Sequence, residues 1–336
     1  MSNNMDLGYE MFCYQCEQTA NGKGCTRLGV CGKTPEIANL QDLLIFQLKG
    51  ISCYGKVLIE KDQHIDKDIV RFVENCLFTT LTNVNFDADV HVSLLRESQQ
   101  IKEKLREVVG EIKNHTLHAT YNLPETKSEM LKDAPLAGIM YEKSLDPDIR
   151  SLRQTIVYGL KGISAYGHQA RELGYFSDQV DDFYITALEA TTDDSLTVEE
   201  LIRMTMRTGE NALEVMKKLP DKSVDLILCD LPYGTTSCSW DVVIPFESLW
   251  EQYKRLIKPK AAIVLFGQEP FSSFLRISNL EMFKYDWYWE KERLTNIHQV
   301  KKRAGKVIET VSVFYDKQCT YNPQMQTYHG ERRTNK

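Results

Sequence analysis

Four cysteines near the start of this 336-residue chain, Cys13, Cys16, Cys25 and Cys31, follow the spacing C-x2-C-x8-C-x5-C. Four thiolates on so short a segment suit a sulfur-ligated centre, either a cubane iron–sulfur cluster or tetrahedral zinc. Gly22, Gly24 and Gly29 lie among them and let the backbone fold tightly around an inorganic core. Lys23 and Arg27 are placed to favour thiolates and to offset cluster charge. A zinc loop usually pairs two knuckles symmetrically. This spacing does not, so iron and sulfide come first and zinc second.

A second chemical signal lies far downstream. The apolar, β-branched run Val224-Asp-Leu-Ile-Leu-Cys229 ends in Asp230-Leu231-Pro232-Tyr233. An acid followed by proline and an aromatic at the end of a buried strand suits chemistry on an exocyclic amine. The carboxylate and a backbone carbonyl accept hydrogen bonds from the amine, and the ring stacks on an extruded base. Ligands of α/β sheets gather at such strand ends.

These residues need two kinds of scaffold. Leu40–Leu48, Leu152–Leu160, Ile101–Ile112 and Leu196–Met206 carry apolar residues at helical spacing, and Thr197-Val-Glu-Glu200 predicts a capping box. Leu40 to Gly55 realigns with Leu152 to Gly167 at a constant offset, sharing Leu-Lys-Gly-Ile-Ser. That duplication predicts two similar helical bundles, joined through 122–135. Beyond Gly209, strands are predicted at Val224–Cys229, Ala261–Phe266, Tyr285–Trp289 and Val307–Tyr315, with helices at Phe246–Leu256 and Pro270–Ile277. The expected fold is multidomain. An all-α part, with an iron–sulfur loop (1–36) and two helical bundles (37–121 and 122–210), precedes an incomplete α/β, Rossmann-like part (211–336).

Charge divides the same way. Residues 211–336 hold 19 Lys+Arg and 15 Asp+Glu, whereas the first 210 hold 22 and 32. The acidic first part is a poor nucleic-acid binder, and the mildly basic second part is compatible with phosphate. No run reaches the roughly 18–20 apolar residues of a membrane helix, and the start lacks a secretion signal. A cytoplasmic protein without membrane contact is expected. Cys53 and Cys76 read as core packing, and His64, His91, His115, His118 and His168 show no paired metal spacing. Trp240, Trp250, Trp287 and Trp289 read mostly as packing residues.

Phe12-Cys-Tyr-Gln-Cys-Glu-Gln-Thr-Ala20 and Gly24-Cys-Thr-Arg-Leu-Gly-Val-Cys-Gly-Lys33 closely resemble the amino terminus of the hybrid cluster proteins, or hydroxylamine reductases. The likeness runs from about Met11 to Gly209 and includes both Leu-Lys-Gly-Ile-Ser segments and Ala190–Val198. It implies a [4Fe-4S] cluster on Cys13, Cys16, Cys25 and Cys31 in a helical domain. The family's reductive chemistry takes place at a second centre, with His, Glu and Cys ligands from later domains. The likeness ends before those domains, and Cys229, Cys238 and Cys319 lie outside it.

Leu213–Thr236, Leu256–Gly267 and Phe314–Met325 resemble the DNA amino-methyltransferases of the adenine-N6 and cytosine-N4 class. That likeness implies a catalytic role for Asp230, Leu231, Pro232 and Tyr233, with Leu231 in place of the usual proline. The glycines after Gly234 are the isolated Gly267, Gly305 and Gly330, so no glycine-rich S-adenosylmethionine loop is expected and no cofactor-binding residue is assigned. S-adenosylmethionine is expected only if another chain completes this part. The first expectation is therefore a fusion of two truncated proteins lacking the full activity of either. The alternatives are a DNA methyltransferase with an iron–sulfur accessory domain, or a non-enzymatic redox or electron-transfer module. Expected partners are an electron-transfer protein, DNA through the C-terminal part, and a second copy through an uncovered sheet; the basic loop Lys301–Lys306 reads first as a solvated turn and second as a phosphate contact. The abrupt junction at Asn211 predicts few apolar contacts between the two parts.

Overall fold

A computed structural model describes residues 10–16, 19–20, 24–82, 84–112, 116–138, 141, 146–231, 233, 243–291, 304–305 and 307–320. Helix α1 spans Pro35–Glu60, and α6 spans Pro147–Glu172. They are equal in length and begin alike, with a side-chain cap (Thr34, Asp146) followed by proline. Between and after them lie α2 (Lys67–Thr79), α3 (Ala88–Val109), α4 (Leu117–Thr120), α5 (Lys127–Asp133), α7 (Asp178–Ala190) and α8 (Val198–Lys218). The capping box of Thr197 and Glu200 starts α8 as the sequence predicts. The predicted connection 122–135 instead contains α5, started by its own capping box of Thr126 and Glu129.

The duplication is real, but its halves interlock. Helix α1 packs on α3 and on α7, while α6 packs on α8 and on α2. Each half therefore lends its middle helix to the other, where the sequence predicts two bundles of consecutive helices. The exchange is held by ions as well as apolar burial. Arg171 of α6 reaches Glu74 of α2 at 2.7 Å and Asp181 of α7 at 2.6 Å, all three nearly enclosed. Gly55 of α1 lies so close to α7 that a Cβ would stand 2.9 Å from Ile185.

Strands β1 (Val224–Asp230), β2 (Ile257–Gly267), β3 (Phe283–Glu290) and β4 (Ile308–Phe314), with helices α9 (Phe246–Leu256) and α10 (Phe271–Ser278), form the remainder. The sheet order is β1-β2-β4-β3; β1 and β2 are parallel, and β4 is antiparallel to both its neighbours. The observed architecture is thus mostly helical with a small mixed sheet.

One face of the sheet is covered by α9 and α10 through Leu249, Trp250, Tyr253 and Leu275. Among the described residues, nothing covers the other face. Leu226 is 53% and Leu228 61% exposed, and Trp287 and Trp289 are each 49% exposed. Packing is the role expected of most of the four tryptophans: Trp250 is buried, Trp287 and Trp289 are half exposed, and Trp240 lies outside the described residues.

The junction corrects another expectation. Helix α8 runs unbroken through 210–211, and one apolar core cluster joins Leu201, Val215 and Met216 to Leu231, Trp250 and Ile263. Arg255 of α9 donates to the carbonyls of Met216 and Leu219 at 2.6 and 2.7 Å, capping the end of α8. Tyr166 of α6 touches Cys229 Sγ of β1 at 3.3 Å. Apolar contact across the junction is extensive. Among the described residues, no helix is long and apolar enough to cross a membrane.

Candidate functional site

The cysteine segment lies against the start of α1 and the end of α2. Cys13 and Cys25 face each other through two backbone hydrogen bonds, of 3.0 and 2.7 Å. Gly24, at φ +150°, makes this turn in contact with Phe12, where a Cβ would stand 2.4 Å from the ring. Gly32, at φ +91°, serves the return after Cys31. Gln15 donates to the carbonyl of Thr80 at 3.1 Å, and Asn39 donates to the carbonyl of Glu10 at 3.0 Å. These bonds pin the segment to α1 and α2.

All four cysteines are free thiols; Cys25 is buried and the other three half-buried. The Ala20 amide donates to Cys25 Sγ at 3.4 Å, the kind of bond that tunes an iron–sulfur centre. Sulfur-only donors, this amide and the glycine turns fit an iron–sulfur core. Cys13 and Cys25 are brought together. Among the described residues, no three His, Cys, Asp or Glu side chains converge tightly enough to hold a metal ion as they stand.

Electrostatics near Cys13 come from residues that the sequence did not single out. Burial pushes the Cys13 thiol up, while Lys33, the Gln15 backbone and Lys161 draw it down. Lys33 donates to Gln41 Oε1 at 2.6 Å, and Lys161 donates to Gln15 Oε1 at 2.7 Å; both lysines are buried. Burial raises the Asp42 carboxyl and lowers the Lys161 ammonium, each against the other's charge. The predicted cations were Lys23 and Arg27; Lys23 lies outside the described residues. Lys161 belongs to the repeated Leu-Lys-Gly-Ile-Ser, which was the one signal for it.

At the other candidate site, Asp230 ends β1, paired with Phe266 of β2. The Tyr233 hydroxyl donates to Asp230 Oδ1. Leu231 and Tyr233 are buried, and the Tyr233 ring packs on Phe271 with centroids 5.0 Å apart. The ring is thus engaged in the core, where the sequence expectation had it stacking on a base. Pro232 lies outside the described residues, as does the basic loop 301–306 apart from Ala304 and Gly305.

Residues 11–227 match the Prismane/CO dehydrogenase family. A hydroxylamine reductase of Bacteroides thetaiotaomicron is 40% identical over 209 residues, covering 62% of this chain and 37% of that protein. That of Clostridium tetani is 38% identical over 238 residues, covering 62% and 41%. That of Thermoanaerobacter pseudethanolicus is 39% identical over 214 residues, covering 62% and 38%. The chain thus spans about two fifths of the length of the relatives it matches. Proteins of this family bind iron–sulfur clusters. With its four-cysteine segment and duplicated helices lying inside the matched stretch, the chain belongs to the Prismane/CO dehydrogenase family.

Proposed function

We propose that Cys13, Cys16, Cys25 and Cys31 hold a [4Fe-4S] cluster and that this helical part is an electron-transfer module of hybrid cluster protein type. The observation that carries the reading is the Cys13–Cys25 backbone pairing with buried Lys33 and Lys161 beside it. When bound, such a cluster supplies one-electron redox chemistry. The protein's own residues would do the rest. The paired backbones of Cys13 and Cys25 fix two ligands, and the Ala20 amide bonds one sulfur. Lys33 and Lys161 would offset the negative charge of four thiolates.

Delivering electrons to a hydroxylamine-reducing centre, as the relatives' names suggest, would make this chain part of a larger reductase in a cytoplasmic setting. Anaerobic reconstitution with iron and sulfide tests the metal assignment. The expected result is about four irons and four sulfides per chain with a broad visible absorbance that dithionite bleaches. One zinc per chain with no visible absorbance rejects it.

A second reading rests on Asp230. It lies at the carboxyl end of a strand in a parallel pair, where open α/β sheets bind ligands. An amino-methyltransferase role for Asp230, Leu231, Pro232 and Tyr233 requires Tyr233 to leave Phe271, and requires S-adenosylmethionine held with the help of another chain. Equilibrium dialysis with labelled S-adenosylmethionine tests it: retention supports this reading, and none removes it.

A further inference from the structure

The face of the sheet away from α9 and α10 carries a connected apolar surface. Side chains alternate along a strand, so the ladder register fixes which ones share that face. Leu228 of β1 stands beside Val264 of β2, which stands beside Val313 of β4. The next row joins Phe266, Val311 and Trp287 of β3. Leu226 and Trp289, two residues away along their strands, extend the same face.

This face has relief. On the central strands, Val264, Val311 and Val313 form a small cluster and are buried by their neighbours. On the two edge strands, Leu226 and Leu228 of β1 and Trp287 and Trp289 of β3 stand about half exposed. Two apolar ridges thus flank a valley of about 400 Å³, lined among the described residues by aliphatic and aromatic side chains. The ridges and the partly buried rings beside them leave roughly 500 Å² of apolar surface in water, more than most monomers expose in one patch.

Charge narrows the choice of occupant. Glu309, opposite Trp289 in the ladder, is already paired with Lys291 at 2.8 Å, and both are nearly enclosed. Asp230, opposite Phe266 at the rim, accepts a hydrogen bond from Tyr233. The lining of the valley offers phosphate no cation, which disfavours a nucleic acid there. A partner that brought charge to this face would bury it unpaired. The chain's own copy brings none, and its ridges match the valley in kind. Two such faces would bury roughly 1,000 Å² in total, the lower bound for a specific interface.

We propose that this face is the contact between two copies of the chain, related by a two-fold axis, with the Trp287–Trp289 ridge of each copy seated in the valley of the other. The two sheets then stack face to face, and each contact is made twice. The cysteine segment contributes no residue to this face, so iron content and dimerisation are separate readings.

The experiment is sedimentation velocity of the full chain across about 1–100 µM, with acrylamide quenching of tryptophan emission over the same range. A closed monomer–dimer equilibrium is expected, of micromolar strength for so small an interface. Quenching should fall as concentration rises, because Trp287 and Trp289 become covered. Leu228→Lys and Trp287→Lys each bring an unpaired cation into the contact and should weaken the dimer about tenfold or more. Val108→Lys, at an exposed position of α3, should leave it unchanged.

A monomer at every concentration overturns the proposal, whether or not it binds phosphatidylcholine vesicles. Association that grows without a dimer plateau overturns it too. A dimer that survives both substitutions on the face, or that forms while quenching stays constant, puts the contact elsewhere and has the same consequence. Should the variants fail to fold, the quenching of the unsubstituted chain decides.

Discussion

Helices α1 and α6 began as copies, and their surroundings show how far one sequence pattern can be reused. Both hold a buried lysine, Lys49 and Lys161, on a cavity of about 1330 Å³ between the interlocked halves. Tyr54 of α1 receives a hydrogen bond from Arg106 and donates to the Ala119 carbonyl. Its counterpart Tyr166 meets Cys229 and Tyr253 of the α/β part instead. Gln47 of α1 faces the buried ammonium of Lys102 from α3. The matching residue of α6 is Gly159, so close to α8 that a Cβ would stand 2.3 Å from Thr208. Ile59 of α1 is matched by Arg171, the centre of the buried ion cluster. The copies thus keep the helix and a buried lysine on the cavity, while the positions of Gln47, Tyr54 and Ile59 in α1 and of Gly159, Tyr166 and Arg171 in α6 serve different neighbours.

The largest expected effect tests the ionic side of that contrast. Arg171→Met leaves Glu74 and Asp181 buried without their cation, and should cost about 3–5 kcal/mol in denaturant unfolding. A cost below about 1 kcal/mol would mean that the exchange of middle helices rests on apolar burial alone.

Lys102 tests the seam between α1 and α3. It is fully enclosed, and burial, with help from Arg106, lowers its pKa from 10.5 to about 7. Between those pH values the unfolded chain holds a proton that the folded chain has released, so stability rises with pH. Below about pH 7 both states are protonated and the burial penalty is fully present. Lys102→Met should remove about 2–4 kcal/mol of this pH dependence, read as the difference between the two proteins' stability curves from pH 6 to pH 10. Parallel curves would contradict it.

Glycines sharpen the comparison at smaller scale. A Cβ on Gly50 would stand 2.2 Å from the His118 carbonyl, whereas Gly162, its copy, has nothing within 4 Å. Gly50→Ala should therefore destabilise by about 2–3 kcal/mol. Gly162→Ala should stabilise by up to about 1 kcal/mol, because alanine favours the helix. Equal effects of the two changes, measured by thermal or urea unfolding, would break the distinction between the seams.

Several of these features were legible in residue order. The duplication, the capping box at Thr197, the four strands and the cysteine spacing are local patterns, and local hydrogen bonding and periodicity govern them. The exchange of α2 and α7 was not legible, because an amphipathic stripe specifies burial without naming its partner. Asp42 lacked a motif, and Lys33 stood at the end of the cysteine motif without a role; their part arises where α1, α6 and the cysteine segment meet. The open face bearing Leu226, Leu228, Trp287 and Trp289 could not be told from a covered one, since its strands carry the same apolar residues either way. Helix α8 hid the change of sequence character at Asn211 by continuing through it.

The most direct test of the cluster is a Mössbauer spectrum of the chain reconstituted anaerobically with ⁵⁷Fe, alongside a Cys13→Ser, Cys25→Ser variant. The account predicts the signature of a [4Fe-4S] centre in the unsubstituted chain and its loss in the variant. Iron that gives only mononuclear or adventitious signals, or a cluster that survives loss of both cysteines, would contradict it.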